Sequence, residues 1–536
     1  MRPTRLPLFL LLIVLCAVTA GWWWLGRPVP IETGLAPGGK LACVSYSPFR
    51  GAQSPLDPSV RAEPWQIEED LSRLSAVTSC IRTYSIQHGL DAILEIAARH
   101  GLKVLQGLWL SSRRDQNRTE IDRTIALVKA HPKTVIGVVV GNEVLLRGEL
   151  SAGDLGAILR EVKAAVPVPV TYADVWEFWL RNPALAEAAD FITVHILPYW
   201  EDDPIPADQA GAHVESIVHR VKLAFPGRDI LVGEVGWPSA GRMREGALPS
   251  LSNEALVVQD VLDRAQRGGF RVNVIEAFDQ PWKRALEGTV GGHWGILTDA
   301  GREPKFLVGE PVSDHPDWLR NAGLGAALAL AVFAAAFAAA AGPGREKISP
   351  GAWTAVALTA AAGGLLAGWA LEKILVESLG WGGLFRGVLL GVVTVAAPVA
   401  GAALLARGER LPGFSEILGA AGERPTSPVT AAAGWLLVLT AVLAVQTALG
   451  LVFDPRYRDF PFASLTAATL PFLSIAWRVR GEGVRGAAEN GIAATLLLSA
   501  GFVVLNETVA NWQAVWLALA FAALAVTLLR VRVVRD

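Results

Sequence analysis

The stretch Asp229-Ile-Leu-Val-Gly-Glu-Val-Gly-Trp-Pro-Ser239 predicts a short apolar strand that ends on one carboxylate, Glu234. An ionised glutamate between valine and glycine does not lie on a solvated surface, so it requires a partner. The stretch Val138-Val-Val-Gly-Asn-Glu-Val144 offers one, because it is also an apolar strand that ends on a carboxylate, Glu143. Glutamates at the ends of two strands are suited to glycosidic-bond chemistry, and a buried structural pair is the alternative.

The composition predicts two kinds of domain. The chain has 536 residues, of which 18% are charged and 52% are hydrophobic, and this is too apolar for a wholly soluble enzyme. Most acidic residues and histidines fall between residues 40 and 315, whereas residues 321–530 are largely Ala, Leu, Val and Gly. We therefore expect a soluble domain joined to a membrane domain. The net charge of −2 argues against nucleic acid as a partner.

Eight apolar runs have the length of membrane spans. The first, residues 6–25, follows Arg2 and Arg5 and closes on Trp22-Trp-Trp24. It predicts an N-terminal transmembrane anchor over residues 1–26, with a cleaved signal peptide as the alternative. The other seven runs predict a membrane domain over 321–530, with spans at 321–341, 352–371, 384–405, 431–452, 461–477, 491–506 and 512–529.

The loop charges predict the orientation of these spans. Basic residues concentrate in alternate loops, as the positive-inside rule requires of cytoplasmic segments. Those loops and the tail carry Arg345, Lys347, Arg407, Arg410, Arg424, Arg478, Arg480, Arg485, Arg530, Arg532 and Arg535. We expect both termini to be cytoplasmic, with residues 27–320 outside and the lipid bilayer as a partner.

Strand and helix patterns alternate eight times after a Pro- and Gly-rich linker at 27–39, which predicts a (β/α)8 TIM barrel over residues 40–310. The predicted strands are 41–46, 79–84, 102–108, 134–140, 168–173, 191–195, 229–234 and 272–278. The predicted helices are 64–76, 88–100, 118–131, 151–165, 183–189, 208–224 and 252–268. A doubly wound sheet is the alternative, but the Gly-rich phosphate loop that would favour it is absent from the sequence.

The three cysteines are Cys16, Cys43 and Cys80, and none has the spacing of a metal ligand. Cys43 and Cys80 fall on neighbouring predicted strands. We expect buried thiols there, with an oxidised pair as the alternative. No ligand cluster suggests a metal or an organic cofactor, and glycosidic-bond chemistry needs neither.

A TIM barrel carries its active site at the carboxyl ends of its strands. The side chains predicted there are aromatic and hydrogen-bonding, a combination that suits sugar rings. We assign substrate binding to Asn142, Tyr84, Tyr199, Trp200, Trp237, Glu276, Asp279, Trp282, Lys283 and Trp294. Arg82 and His195 also fall at strand ends, but the sequence assigns them no role.

Retaining chemistry requires two carboxyl groups about 5–5.5 Å apart across the barrel mouth. We assign Glu234 as the nucleophile and Glu143 as the acid/base, with Asn142 donating to the sugar 2-hydroxyl. Tyr84 and Tyr199 are expected to stabilise ionised Glu234 by hydrogen bonds. Glu143 would then be the more desolvated carboxyl group, with the higher pKa that an acid requires.

Residues 40–306 resemble glycoside hydrolase family 17. The resemblance rests on Gly-Asn-Glu143, on Gly-Glu234-Val-Gly-Trp-Pro-Ser, and on Glu276-Ala-Phe-Asp-Gln-Pro-Trp-Lys283 with a later Trp294-Gly. Gln280 departs from the pattern, where an acidic residue is often found. The resemblance implies a retaining β-1,3-glucanase or β-1,3-glucanosyltransferase on a (β/α)8 barrel, with the same two glutamates in the same two roles.

Bacterial proteins that join such a domain to membrane spans resemble those labelled β-(1,6)-glucan synthases. The resemblance implies an inner-membrane protein with a periplasmic catalytic domain, acting on β-glucan made by a separate glucan synthase. Since the sequence lacks a nucleotide-sugar glycosyltransferase signature, we predict a transglycosylase that remodels β-1,3/1,6-glucan. A simple endo-β-1,3-glucanase and a non-catalytic glucan-binding membrane scaffold are the alternatives.

Overall fold

The computed structural model describes residues 5–341, 348–419, 427–479 and 483–532. The predicted topology used several charges that lie outside these residues, namely Arg2, Arg345, Lys347, Arg424, Arg480 and Arg535. The chain divides into two compact units. One comprises Met1–Pro28, Gly241–Glu245 and Ser313–Asp536, and the other comprises Val29–Ala240 and Gly246–Val312.

The second unit is a closed barrel of eight parallel strands in sequential order, which confirms the predicted (β/α)8 fold. Pairing of Val44 with Val274 closes the barrel between the first strand and the last. The strands are β1 Val44–Ser45, β2 Cys80–Arg82, β3 Lys103–Leu108, β4 Val135–Asn142, β5 Val170–Val175, β6 Ile192–His195, β7 Ile230–Val235 and β8 Arg271–Val274. Each lies within or beside a predicted strand, because the apolar runs form the buried barrel wall.

Helices follow the strands and cover the barrel. They are α2 Pro64–Val77, α3 Ile93–Arg99, α4 Arg114–Ala130, α5 Ala152–Ala165, α6 Trp176–Arg181, α7 Ala207–Ala224, α8 Leu251–Gly268 and α9 Arg284–Glu287. Two boundaries differ from the prediction. The helix expected from residue 88 begins only at Ile93, after His88 and Gly89 with positive φ and a short 3₁₀ turn. The helix expected at 183–189 is a 3₁₀ turn, and α6 lies before it.

The amino-terminal end of the barrel encloses a disulfide between Cys43 and Cys80, with Cα atoms 4.4 Å apart. Both cysteines are buried, in a cluster with Leu105, Val139, Ala173, Phe191 and Leu231. The expectation of two buried thiols is therefore wrong, and the alternative of an oxidised pair is what the structure contains. Strand pairing of β1 with β2 brings the two Cα atoms within disulfide range, which sequence spacing does not reveal.

The first unit is helical. Its long helices are α1 Arg5–Leu25, α10 Trp318–Ala340, α11 Pro350–Glu377, α12 Gly380–Arg407, α14 Pro428–Phe453, α15 Phe462–Arg478, α16 Ala487–Glu507 and α17 Trp512–Arg530, and the short α13 Phe414–Leu418 precedes α14. Seven of the long helices in the described ranges are long and apolar enough to cross a membrane. The remaining one, α15, has 17 residues, which is the lower limit for a span.

Charged side chains near the ends of these helices are paired. Glu372 lies 2.8 Å from Nδ1 of His315, and Lys373 pairs with Glu377 at 2.5 Å. Glu507 pairs with Arg242 of the Gly241–Glu245 segment. Pairing of this kind satisfies buried charges, so it favours a structural role for these residues.

Glycines allow close contact between helices in this unit. A Cβ atom at Gly325 of α10 would overlap the carbonyl oxygen of Gly364 in α11 and meet Val18 of α1 at 2.8 Å. The backbones of two helices meet here directly, as small residues permit in membrane-type packing. By contrast, Gly323 lies two residues earlier on α10, and nothing lies within 4 Å of the position that a Cβ atom would take there.

The disulfide gives a first prediction. Denatured but unreduced protein should take up one maleimide, on Cys16, and reduced protein three. Replacing both Cys43 and Cys80 by serine should lower the free energy of unfolding by about 2–4 kcal/mol, because the bond restricts the unfolded chain. Chemical denaturation measures the change, with Cys16→Ser as the control. Three reactive thiols without reduction would contradict the disulfide.

The glycine contact gives a second prediction. Gly325→Ala should destabilise the helical unit by about 1–3 kcal/mol, because the added methyl group has no space between two backbones. The matched change Gly323→Ala should be neutral or slightly stabilising, since alanine favours helix and nothing lies within 4 Å. Thermal unfolding of the full chain in detergent compares the two variants. Equal melting temperatures would show that α10 and α11 do not meet at Gly325.

Candidate active site

The two glutamates meet at the mouth of the barrel. Glu143 directly follows β4, and Glu234 lies near the end of β7. One carboxylate oxygen of each, together with a ring nitrogen of His195, lie within 4.8 Å of one another. The structure therefore brings the two predicted catalytic residues close together at the mouth of the barrel.

The backbone around both glutamates is specialised. Glu143 has φ of 53°, a left-handed conformation that is uncommon for a residue with a side chain, and it follows Gly141 with φ of 81°. On β7, a Cβ atom at Gly233 would overlap Thr193 and lie 3.2 Å from Cδ2 of His195. Glycine at this position therefore leaves the space that the His195 ring occupies. Strained backbone at Glu143 and close packing at Gly233 together fix both carboxyl groups.

Glu234 is buried, with 5% of its surface exposed, and accepts two hydrogen bonds. The Tyr84 hydroxyl donates to Oε1 at 2.8 Å, and Nη1 of Arg82 donates to the same oxygen at 3.2 Å. Burial, and then the charge of Glu234, raise the pKa of Tyr84 well above its usual value, so the phenol stays a donor. These two donors fix the orientation of the Glu234 carboxyl group.

Arg82 links several of these groups. It is 1% exposed, and Nη2 donates to Oδ1 of Asn142 at 2.5 Å, while Nη1 donates to the carbonyl of Gly233 at 2.7 Å. Asn273 donates to the same carbonyl and to the Ser45 hydroxyl beside Tyr84. The sequence assigns no role to Arg82 or His195. Both fall near the end of a predicted strand, and this position is the signal that could have identified them as site residues.

Glu143 is more accessible than Glu234. Its side chain is 23% exposed, against 7% for Glu234, so the expectation that Glu143 is the more desolvated carboxyl group is wrong. Burial raises the pKa of Glu143. The hydrogen bond from His195, whose Nδ1 lies 2.9 Å away, and the charge of His195 lower this pKa, and the lowering outweighs the effect of burial. The net pKa of Glu143 is lowered, opposite to the prediction, because the sequence did not place His195 beside it.

A second group of charges lies on the strand-eight side. Glu276 is 1% exposed and pairs with Lys283 at 2.7 Å. Burial raises the pKa of Glu276 to about 7, against the opposing charge of Lys283. Glu276 and Lys283 both interact electrostatically with Glu234. Glu287 does so as well, and burial raises the pKa of Glu287. The charge of Glu143 also raises the pKa of Glu287.

Aromatic rings line the strand-six and strand-seven side. Tyr199 packs edge-on against Trp200, Trp237 and Trp294, with centroids 4.9, 5.8 and 6.0 Å away. Trp237 has no exposed surface and donates Nε1–H to the carbonyl of Leu248, so it supports Tyr199 rather than presenting a face to sugar. Trp294 is also buried, with 3% of its surface exposed. Their prediction as direct sugar contacts is therefore revised, and Trp200 is the half-buried ring of the group.

Two further predicted residues have different surroundings. Trp282 is half-buried and donates Nε1–H to Gln280, which leaves part of its ring accessible. Asp279 is buried and accepts from Lys305 at 2.8 Å and from the backbone of Gly295 at 3.0 Å. Asp279 therefore holds the loop after β8 in place, and its prediction as a sugar ligand is revised.

The atom types of Glu143, His195 and Glu234 also occur in metal sites. Here Nη1 of Arg82 lies 3.2 Å from Oε1 of Glu234 and 3.3 Å from Nε2 of His195. A permanent cation therefore already faces two of the three donor groups. The arrangement favours an ion-paired catalytic cluster over a cation site.

A separate pocket lies between the loops that follow β3 and β4. Its volume is about 320 Å³, and it is lined by Gln87, Trp109, Ser111, Ser112, Arg113, Gln116, Asn117 and Glu149. Arg147 lies over the Trp109 ring at 4.4 Å and donates to the carbonyl of Asn142, the residue before Glu143. The pocket thus adjoins the Glu143 side of the site and combines an aromatic ring with amide and hydroxyl groups.

The chain is similar to known glycoside hydrolases. Residues 43–295 match the family model of the BtgE/BtgC glycoside hydrolase domain. A glucan 1,3-beta-glucosidase of Saccharomyces cerevisiae is 27% identical over 263 residues, which cover 44% of this chain and 82% of that protein. A probable beta-glucosidase btgE of Neosartorya fischeri is 29% identical over 271 residues, and the match spans 49% of this chain and 47% of that protein.

A glycoside hydrolase family 17 β-1,3-glucanosyltransferase from Rhizomucor miehei, solved by crystallography, is 25% identical with a TM-score of 0.42, covering 49% of this chain and 94% of that one. The barrel, its two facing glutamates and the family match agree. The chain is therefore an enzyme whose barrel is similar to the glycoside hydrolase domains of these proteins.

Proposed function

We propose that the enzyme cleaves β-1,3-glucan with retention and passes the glycosyl unit to a sugar acceptor. The distance between the two glutamates carries this proposal, because their nearest ligand atoms lie within 4.8 Å. Inverting enzymes hold their carboxyl groups about 6.5–9.5 Å apart, to leave room for a water molecule. The substrate class follows from the similar glucan 1,3-beta-glucosidase of yeast.

The surroundings of the two glutamates assign their roles. Glu234, held as a carboxylate by Tyr84 and Arg82, attacks the anomeric carbon as the glycosidic bond breaks. Glu143, partly exposed, gives its proton to the leaving oxygen, and a glycosyl ester on Glu234 results. In the second step Glu143 removes a proton from the incoming hydroxyl group, which attacks the same carbon and releases Glu234.

Asn142 is suited to bind the sugar 2-hydroxyl. Its Oδ1 accepts from Arg82, which fixes the amide so that Nδ2 is directed away from the guanidinium. In the part of the chain that the structure describes, Nδ2 has no protein acceptor and is available to donate. Hydrogen bonds to the 2-hydroxyl strengthen in the transition state of this reaction.

Transfer to sugar requires a binding place for the acceptor beside the acid/base residue. The pocket at Trp109 meets this requirement, because Arg147 connects its aromatic ring to the backbone of Asn142 next to Glu143. Aromatic faces with amide and hydroxyl neighbours suit a glucosyl ring. A sugar held there would compete with water for the glycosyl ester, so this pocket favours transfer over simple hydrolysis.

The disulfide supports an extracytoplasmic barrel, since such bonds persist in oxidising compartments. The apolar helices and the distribution of basic loops support a multi-pass protein with both termini in the cytoplasm. We accordingly place the enzyme in a bacterial inner membrane, where it remodels β-1,3/1,6-glucan from a separate synthase. The maleimide experiment above, performed on protein whose thiols are blocked before lysis, also tests this location.

The catalytic assignment gives a third prediction. Glu234→Gln should abolish cleavage of laminari-oligosaccharides, and Glu143→Gln should lower it by about 10²–10⁴-fold. With an aryl β-glucoside of laminaribiose, whose leaving group needs little acid, Glu143→Ala should accumulate a glycosyl ester on Glu234. Mass spectrometry of the intact protein detects the ester, and proton NMR of the first product identifies the retained β anomer.

The control for these variants is Glu95→Gln, because Glu95 lies on α3 with a side chain that is 75% exposed. This variant should keep wild-type activity. An α anomer as the first product, or unchanged activity in Glu234→Gln, would contradict the retaining mechanism.

The acceptor pocket gives a fourth prediction. Wild-type enzyme incubated with laminaripentaose should form products longer than the substrate. Trp109→Ala should lower the ratio of transfer to hydrolysis by about tenfold, the effect of roughly 1.4 kcal/mol of lost stacking. Mass spectrometry measures product lengths, and NMR identifies the new linkage.

Trp65→Ala is the matched control, because Trp65 also carries an arginine, Arg50, over its ring at 5.4 Å but is 63% exposed on α2. Its transfer ratio should equal that of the wild type. Wild-type enzyme that yields only shorter oligosaccharides would show a hydrolase rather than a transferase.

A further inference from the structure

His195 closes β6 with no exposed surface and reaches both catalytic glutamates. Its Nδ1 lies 2.9 Å from Oε1 of Glu143, and its Nε2 lies 3.6 Å from Oε1 of Glu234. Nε2 also lies 3.3 Å from Nη1 of Arg82. An imidazole enclosed in this way has a fixed orientation, and its two nitrogens face groups of different character.

The neighbours of His195 determine which nitrogen carries the proton. An arginine guanidinium is always charged and offers only donors. Nη1 of Arg82 therefore faces the lone pair of Nε2, and the ring proton lies on Nδ1. From there it is donated to Oε1 of Glu143. A carboxylate offers only acceptors, so the Nδ1 that faces Oε1 of Glu143 is the nitrogen that carries a proton.

We propose that His195 is a positioning residue that donates its Nδ1 proton to Oε1 of Glu143 in both steps and so directs the other carboxyl oxygen at the glycosidic oxygen. This inference rests on the proposed retaining mechanism. Oε1 accepts from Nδ1 whether Glu143 is a carboxylate or a carboxylic acid, since its carbonyl oxygen remains an acceptor. The proton that Glu143 exchanges with substrate is therefore carried by the other oxygen, and His195 keeps its own.

This hydrogen bond has opposite effects on the two steps. A donor to the carboxylate favours the ionised form, and the lowered pKa of Glu143 agrees with this. Glu143 is thereby a stronger acid when the glycosidic bond breaks and a weaker base when the acceptor attacks. A weaker base makes attack by water less favourable, because no binding energy holds the water molecule in position. Attack by a sugar hydroxyl that is already held in position is less affected.

The pH dependence follows from the charged groups around the pair. His195 faces Arg82 from β2, Asp174 from β5 and Glu234 from β7, in addition to Glu143. Glu143 is also influenced by Arg147 and Glu287. Cleavage needs protonated Glu143, so kcat/KM falls as pH rises through the pKa of Glu143. Because His195 lowers that pKa, its removal should move the basic limb to higher pH.

A fifth prediction tests the tautomer without any substrate. The full chain, labelled with ¹⁵N-histidine in detergent, contains eight histidines, and loss of one signal in His195→Asn assigns His195. That signal should show a ring protonated at Nδ1. Glu143→Gln should shift the Nδ1 resonance and leave Nε2 nearly unchanged. A ring that carries no proton on Nδ1 would overturn the proposal.

Kinetics on laminari-oligosaccharides tests the consequence. His195→Leu, which lacks a donor, should move the basic limb of kcat/KM upward by about one pH unit. His195→Asn keeps an N–H near the position of Nδ1 and should shift the limb less. Identical limbs in all three proteins would show that His195 only fills space. A wild-type chain inactive on glucan would refute the proposed function, while the NMR result on the tautomer would stand by itself.

Discussion

The buried guanidinium of Arg82 is the constraint on which the geometry of the active site depends. Its terminal nitrogens donate to Asn142 at the end of β4, and to Gly233 and Glu234 on β7, while one of them faces His195 on β6. Arginine cannot release its charge, and an uncompensated charge inside a protein is costly. The acceptors must therefore stay where the guanidinium needs them. Since one of these acceptors is Glu234, the interaction that stabilises the barrel mouth also holds the proposed nucleophile.

The fold was predictable because its signal is repeated. Each of the eight strands overlaps an apolar run that the sequence identifies. The number and order of these strands imply closure of the barrel, which Val44 and Val274 make. The two glutamates were predictable for a related reason. A carboxylate at the end of an apolar strand is rare, and a barrel brings all such ends to one face. Both predictions use properties of the chain that do not depend on side-chain orientation.

What the sequence missed depends on orientation. Trp237 and Asp279 occur at the expected strand ends, but one ring packs under Tyr199 and one carboxylate pairs with Lys305. The Cys43–Cys80 bond requires a register between β1 and β2 that spacing does not encode. His195 was missed for a different reason, because a histidine beside apolar residues resembles an ordinary core residue. Only its distance to Glu143 identifies it.

The unequal exposure of the two glutamates also has a chemical reason. Glu234 makes and breaks one bond at a fixed atom, so an enclosed position among donors serves it in both steps. Glu143 meets a leaving oxygen and later an incoming hydroxyl group, and it must be reachable by both. A partly exposed acid is not kept protonated by burial, as a glutamic acid in an apolar pocket is. Here the acid is partly accessible, and a buried histidine sets its orientation and its proton affinity from behind. This division leaves the front of Glu143 open to sugar, on the side where Arg147 connects it to the Trp109 pocket.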